Sequence, residues 1–214
     1  MRNSIRHQTL TWKLALAVLT VAGGCVTAQV PSQSTTQVPS QSAAQMPTPP
    51  VPDSAGTTTV YLVRHGEKTT YAPRDPDPDI SDQGKRRAEA LANRLKDAGV
   101  TTIIVSQFKR TGQTAAPLAK ALGVTPEMIT AGVTGGADSV AAAVMRHHGE
   151  KILVVGHTNT IPLIIAALGG PQLPHLCDAE YSNLFVMNIA PNRNPSLVRL
   201  HYGLGDPVSA SQCR

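Results

Sequence analysis

The sequence predicts an α/β fold: a three-layer sandwich with a mostly parallel central sheet. Three observations carry this expectation. From residue 58 onward, short β-branched runs alternate with segments of helical periodicity. The runs VYLV, TIIV and ILVV are apolar at every position, as strands buried on both faces require. Gly99, Gly123 and the pair Gly169-Gly170 close the helical segments.

The first strand is Thr58 to Val63. Residues 69 to 80, TTYAPRDPDPDI, are crowded with Pro and Asp and read as a loop. Ser81 then stands where a helix N-cap belongs. Behind it Ala88, Leu91, Ala92, Leu95 and Ala98 share one helix face, and Gly99 ends the helix. Thr102 to Val105 is the second strand. Ala115, Leu118, Ala119 and Leu122 mark a second helix that stops at Gly123. Pro117 removes a backbone bond there, which predicts a late start or a kink. Residues 126 to 131 carry a weak third-strand pattern. Asp138 or Ser139 caps an Ala-rich helix running to His148. Ile152 to Val155 is a further apolar strand. Pro162 fits the opening turn of a helix that runs to Leu168. Leu184 to Ile189 and Leu197 to Tyr202 read as two late strands joined by the turn-rich PNRNP.

The amino-terminal quarter has a different composition. Residues 1 to 24 read as an export signal: Arg2, Arg6 and Lys13 precede the apolar core LALAVLTV. That core is shorter than the roughly 20 apolar residues of a membrane span. Two cleavage readings compete. Ala22-Gly23-Gly24-Cys25 resembles a bacterial lipobox and would leave a lipidated Cys25. Val26-Thr27-Ala28 offers the small residues of ordinary signal cleavage. Residues 25 to 52 form a linker in which QVPSQSTT, QVPSQSAA and QMPTPPVP repeat one Pro/Gln/Ser pattern. Such a segment buries too little apolar surface to offset its ordering entropy. The globular part is residues 53 to 214, and the localisation expected is exported, periplasmic or membrane-anchored.

Charge and cysteines narrow the function classes. The chain's +5 includes three basic residues of the signal, which leaves sixteen basic against fourteen acidic residues, a net of +2. With few aromatic residues as well, nothing argues for nucleic acid as a partner. Cys177 and Cys213 either close one disulfide that ties down the carboxyl-terminal tail or stay free thiols. No CxxC or HExxH spacing points to a metal, and no cofactor is expected.

The chemistry lies at the strand ends. The first strand runs into Arg64-His65, the second ends at Ser106 with Arg110 four residues on, and the ILVV strand ends at Gly156-His157. In an open parallel sheet, ligands bind beyond the carboxyl ends of the strands. Gly66 and Gly156 allow a sharp turn or a close approach there. Guanidinium forks bind phosphate oxygens bidentately and stay charged. Positive neighbours push the His65 pKa down, and a neutral imidazole is a nucleophile. These four residues are suited to holding and attacking a phosphoryl group.

At this point LVRHGE resembles the signature of the histidine phosphatase superfamily, the phosphoglycerate-mutase-like proteins, in its compact branch-1 form. DPDPDISDQGKRRAEALANRL, IIVSQFKRTGQTAAPLAKALG and ILVVGHTNTI resemble the family's later motifs in the expected order, across residues 57 to 202. The resemblance implies a phosphoglycerate-mutase-like fold and a nucleophilic His65 that becomes phosphohistidine. It also implies that Arg64, Arg110 and His157 bind the phosphoryl oxygens. Water then hydrolyses the phosphoenzyme, and no metal is required.

The proton donor is where the carry-over thins. Many members place a carboxylate between the second arginine and the second histidine. Asp138 is the first candidate there, although a helix cap explains it equally well, and Glu127 is another. A second branch has Asp directly after the second histidine, where this chain has Thr158. Glu67 is expected to brace its loop. Asn159 either lines the pocket or begins the helix. His147-His148 is expected to be structural, while His175 and His201 carry no readable pattern. The expected function is a metal-independent hydrolase of phosphomonoesters or phosphoproteins. The alternatives are a mutase of the same superfamily and an idle phosphate-binding envelope domain.

Overall fold

The computed structural model describes residues 56–69, 75–130 and 136–206. The expected export signal, the linker, Cys25 and Cys213 lie outside the described residues. The elements in chain order are β1 (Thr58–Arg64), α1 (Asp82–Leu95), β2 (Thr102–Val105), α2 (Lys109–Leu122), β3 (Glu127–Met128), α3 (Gly136–Arg146), β4 (Lys151–Gly156), α4 (Thr160–Ala167), β5 (Asn183–Ile189) and β6 (Ser196–His201).

The six strands make one sheet in the order β3-β2-β4-β1-β5-β6. β3, β2, β4 and β1 pair in parallel, and β5 pairs antiparallel with both β1 and β6. This is the mixed, mostly parallel α/β sheet that the alternating pattern predicts.

Strand alternation divides the core into two layers. Val60, Leu62, Ile104, Ile152 and Val154 pack with α3 and α4. Val63, Ile103, Val105, Leu153 and Val155 face the other way, onto Leu91 and Leu95 of α1 and Leu118 of α2. Burying one such aliphatic side chain contributes about 1.5–3 kcal/mol. The fully apolar strands therefore stabilise both helical layers at once.

The helix ends show local control. Ser81 caps α1, its side-chain oxygen accepting the Gly84 N–H at 3.2 Å. α1 stops at Leu95 rather than Gly99, because Lys96 to Ala98 tighten into a turn that Gly99 completes at φ +75°. α2 begins at Lys109 and carries Pro117 inside it, so the late start is not adopted. α3 begins at Gly136, so neither Asp138 nor Ser139 is its cap, and Asp138 falls in its first turn. The third strand shrinks to Glu127–Met128.

Register aligns the chemistry. Arg64 pairs with Gly156 and Val105 with Val155, so β1, β4 and β2 end side by side. The His65 N–H donates to the Gly156 carbonyl at 2.9 Å, extending that ladder one residue into the site. Gly66 sits against α1, where an added Cβ would stand 2.9 Å from the Gly84 carbonyl oxygen. Close approach, rather than a left-handed backbone, requires this glycine.

Candidate active site

A cleft of about 400 Å³ opens over the ends of β1, β2 and β4. It is lined by Arg64, His65, Lys68, Phe108, Arg110, His157, Thr158, Asn159, Thr160 and Asp178. The four residues expected to form the site are therefore together.

His65 is buried. Its Nδ1 lies 2.8 Å from the Gly66 carbonyl oxygen, which only accepts, so Nδ1 carries the proton. That leaves Nε2 with a free lone pair. Burial, followed by the charges of Arg64, His157 and Arg110, pushes its pKa down to about 3, against the opposing bond to Gly66. The Gly66 N–H donates to the Thr114 hydroxyl at 2.8 Å, and that hydroxyl donates to the Arg110 carbonyl at 2.7 Å. The nucleophile's loop is thereby tied to the helix that bears the second arginine.

The His157 ring stands 5.3 Å from that of His65, inclined at 61°. Its Nε2 is bonded to the Ser106 hydroxyl at 2.9 Å. Burial, then Arg110 and Arg64, pushes it down to about 4. Both imidazoles are neutral at neutral pH.

The segment between α4 and β5 clamps Arg64. One guanidinium nitrogen donates to the carbonyls of Cys177, Asp178 and Glu180 at 3.2, 2.9 and 3.2 Å. The other donates to the Tyr181 hydroxyl at 3.2 Å, and the guanidinium lies 3.9 Å over the Tyr181 ring. Arg110 is held by Asp77 at 3.3 Å and stands 4.2 Å from the Phe108 ring centroid. Asp77 also accepts the Lys109 N–H at 3.0 Å, serving as a borrowed cap for α2, whose own cap residue Phe108 offers none.

Among the described residues, four buried side-chain polar atoms have no hydrogen-bond partner. Three of them are Arg64 Nε, Arg110 Nε and His157 Nδ1, all from cleft residues. Buried donors without acceptors are costly in isolation. The two arginine Nε atoms are donors, and the role of His157 Nδ1 depends on its tautomer.

The acid candidates end up elsewhere. Asp138 is not among the residues that line the cleft. Glu127 is bound by Arg146 and by His147 Nε2 at 3.0 Å, which also gives His147 its structural role. Glu67 braces its loop as expected: its oxygens accept from Arg87 Nε at 2.9 and 3.0 Å, and Arg87 is itself buried. Asn159 takes the cap position of α4 without a side-chain cap bond and lines the cleft. Cys177 is in a disulfide. No group of three metal-ligating side chains occurs among the described residues.

Sequence reasoning missed Tyr181, Asp178, Asp77, Lys68 and Arg87. Arg87 had a signal, since a charged residue sits in the apolar stripe of α1. The others lie in segments without periodicity.

Comparison with known proteins agrees with this geometry. Residues 60–131 match the family model of the histidine phosphatase superfamily (branch 1). A protein provisionally named phosphoglycerate mutase GpmB, from Yersinia pestis (strain Pestoides F), is 43% identical over 70 residues, covering 31% of this chain and 33% of that protein. The match thus spans about a third of the length of the curated relatives. The protein histidine phosphatase SixA, solved with tungstate, superposes with a TM-score of 0.55 at 19% identity, covering 67% of this chain and 96% of that one. A protein provisionally named phosphohistidine phosphatase SixA, from Agrobacterium tumefaciens, gives a TM-score of 0.55 at 25% identity, covering 68% and 99%.

Proposed function

We propose that this chain, whose residues 60–131 belong to the histidine phosphatase superfamily (branch 1), hydrolyses phosphomonoesters or a phosphorylated protein through a phosphohistidine on His65. The observation that carries this reading is a His65 imidazole with its proton held on Nδ1 and its Nε2 lone pair free, gathered with Arg64, Arg110 and His157 on one cleft. Arg64 and Arg110 line the cleft beside His65, and guanidinium groups bind phosphoryl oxygens there. His157, bonded through Nε2 to the Ser106 hydroxyl, lines the same cleft.

His65 Nε2 attacks phosphorus, the P–O bond to the leaving group breaks, and water then displaces the phosphoryl group from nitrogen. Fixed positive charge at the equatorial oxygens stabilises the transition state. The arginines supply what a metal ion would otherwise supply, so turnover is expected to survive chelation. Tungstate bound to the related SixA is an oxyanion of the same shape as phosphate.

A mutase reading draws on the likeness to GpmB, which is confined to 70 residues. A mutase must shield its phosphoenzyme from water. Here one wall of the cleft, Asp178, is 92% exposed in its side chain, which favours hydrolysis. The proposal also places the enzyme outside the cytoplasm, tethered through a lipidated Cys25. Palmitate labelling of the full chain, lost in Cys25→Ala, tests that part.

The activity itself is tested by hydrolysis of an aryl phosphate in the presence of EDTA, beside His65→Ala. Metal-independent turnover lost in the variant supports the reading. Turnover that persists in His65→Ala refutes it, and oxyanion binding without turnover of any ester favours an idle domain.

A further inference from the structure

We propose that Asp178 is the acid–base residue of this reaction, an inference that rests on the hydrolase reading above. It gives the departing oxygen its proton and later takes one from the attacking water.

The chain's carboxylates point to it. The chain has 14 Asp and Glu residues, and all but Asp53 fall within the described residues. Residues 70–74, 131–135 and 207–214 contain no Asp or Glu, so those segments can bring no acid to the cleft. Four carboxylates act on the catalytic arginines: Glu67, Asp178 and Asp206 on Arg64, and Asp77 on Arg110. Glu67 gives both oxygens to Arg87. Asp77 gives both to the Lys109 N–H and one to Arg110. Asp206 gives both to Ser182 and one each to Tyr181 and Arg87. None of these three lines the cleft, and Asp178 does.

Asp178 is also the carboxylate with an uncommitted oxygen. Its Oδ1 stands 3.6 Å from an Arg64 guanidinium nitrogen and 3.5 Å from the Thr158 hydroxyl. Its Oδ2 makes no hydrogen bond among the described residues. Its backbone is fixed where its side chain is not: the carbonyl accepts from Arg64 at 2.9 Å. The residue is therefore anchored to the phosphate clamp, while its carboxylate faces the open side, where a leaving group departs.

The step balances without an outside reactant. A phosphomonoester near neutral pH carries a proton on part of its population, its second pKa being about 6. The docked ester brings that proton into the cleft, and the Asp178 carboxylate carries it across to the leaving oxygen as the P–O bond breaks. The lone pair of His65 Nε2 forms the N–P bond, and the P–O bond breaks with its electrons on oxygen. The oxygen takes the Asp178 proton and leaves as an alcohol. Water then attacks phosphorus and gives a proton to the Asp178 carboxylate, and the P–N bond returns its pair to Nε2. Asp178 gives that proton to the departing phosphate and returns to its carboxylate form, so the sum is ester plus water to alcohol plus phosphate.

The test uses the full chain with Asp178→Asn and Asp178→Glu. Substrates are graded from nitrophenyl to simple alkyl phosphates, and inorganic phosphate is the competitive inhibitor. Asp178→Asn is expected to lower kcat about 100-fold on alkyl phosphates, where the leaving oxygen needs its proton, and only a few-fold on nitrophenyl phosphate. Asp178→Glu recovers part of the alkyl activity, and the phosphate inhibition constant stays nearly unchanged. An equal loss across the series with weakened phosphate binding overturns the proposal, leaving Asp178 as a support for Arg64. Full activity of Asp178→Asn on alkyl phosphates overturns it as well. A wild-type chain that turns over nothing in the series overturns the hydrolase reading, and this inference with it.

Discussion

The Nδ1 of His65 lies 2.8 Å from the carbonyl oxygen of Gly66, and this one contact decides which nitrogen can attack. A carbonyl accepts and cannot donate, so the proton stays on Nδ1 and Nε2 keeps its lone pair. Gly66 can serve because its loop is pressed against α1 at Gly84. The tautomer of the nucleophile is thus set by how closely a loop packs on a helix.

Burial depresses both active-site histidines, His65 to about 3 and His157 to about 4, from an ordinary value of 6.5. The folded state binds fewer protons than the unfolded chain below that value. Their contribution to stability is complete above the ordinary value and is lost as pH falls from there toward the folded values. The melting temperature is expected to drop between about pH 7 and pH 5, and to drop less in His65→Ala/His157→Ala. His147, raised by its bond to Glu127, acts in the opposite sense in both proteins and so cancels in the comparison.

Tyr181 holds Arg64 by its ring face and its hydroxyl together. Tyr181→Ala is expected to raise KM about tenfold, in line with a desolvated cation–π contact of up to about 2 kcal/mol. Tyr181→Phe keeps the ring and is expected to cost only a few-fold. Steady-state kinetics of the pair separate the two contributions.

Arg87 is buried between Glu67 and Asp206, at 2.7 and 3.5 Å, and donates to the carbonyls of Tyr202 and Leu204 at 3.2 and 3.1 Å. It joins the nucleophile's loop to the segment after β6. Arg87→Ala strips Glu67 of its ion pair and takes the cation from beside Asp206, whose oxygens still accept from Tyr181 and Ser182, and is expected to destabilise the fold by about 3 kcal/mol. Urea unfolding checks this, and a loss under 1 kcal/mol, or roughly the worth of a surface pair, contradicts it.

Asp77 both caps α2 and orients Arg110. Asp77→Ala is expected to cost about 1 kcal/mol of stability and to raise KM several-fold. Asp77→Asn retains an accepting oxygen for the Lys109 N–H and is expected to keep most of the stability. Thermal melts alongside kinetics distinguish the two losses.

Arg64, His65, Arg110 and His157 could be read from the sequence because each follows an apolar strand within a contiguous motif, and parallel strand ends converge by topology. The sheet confirms that logic in the Arg64–Gly156 and Val105–Val155 pairings. Asp178 and Tyr181 could not be read this way. They reach Arg64 from more than a hundred residues away, on a segment with no periodicity to place it. Asp138 drew attention by its position between motifs, yet α3 starts early enough to take it into its first turn. Glycine marked the end of α1 only approximately, because a tight turn intervened before Gly99.

The central claim is tested most directly by catching the intermediate. The full chain is mixed with a phosphomonoester, quenched in alkali within one turnover, digested and mapped by mass spectrometry. The account predicts an alkali-stable, acid-labile phosphoryl group on the His65 peptide, absent from His65→Ala, which also fails to turn over. Turnover with the phosphoryl group on another residue, or turnover retained by His65→Ala, would contradict it.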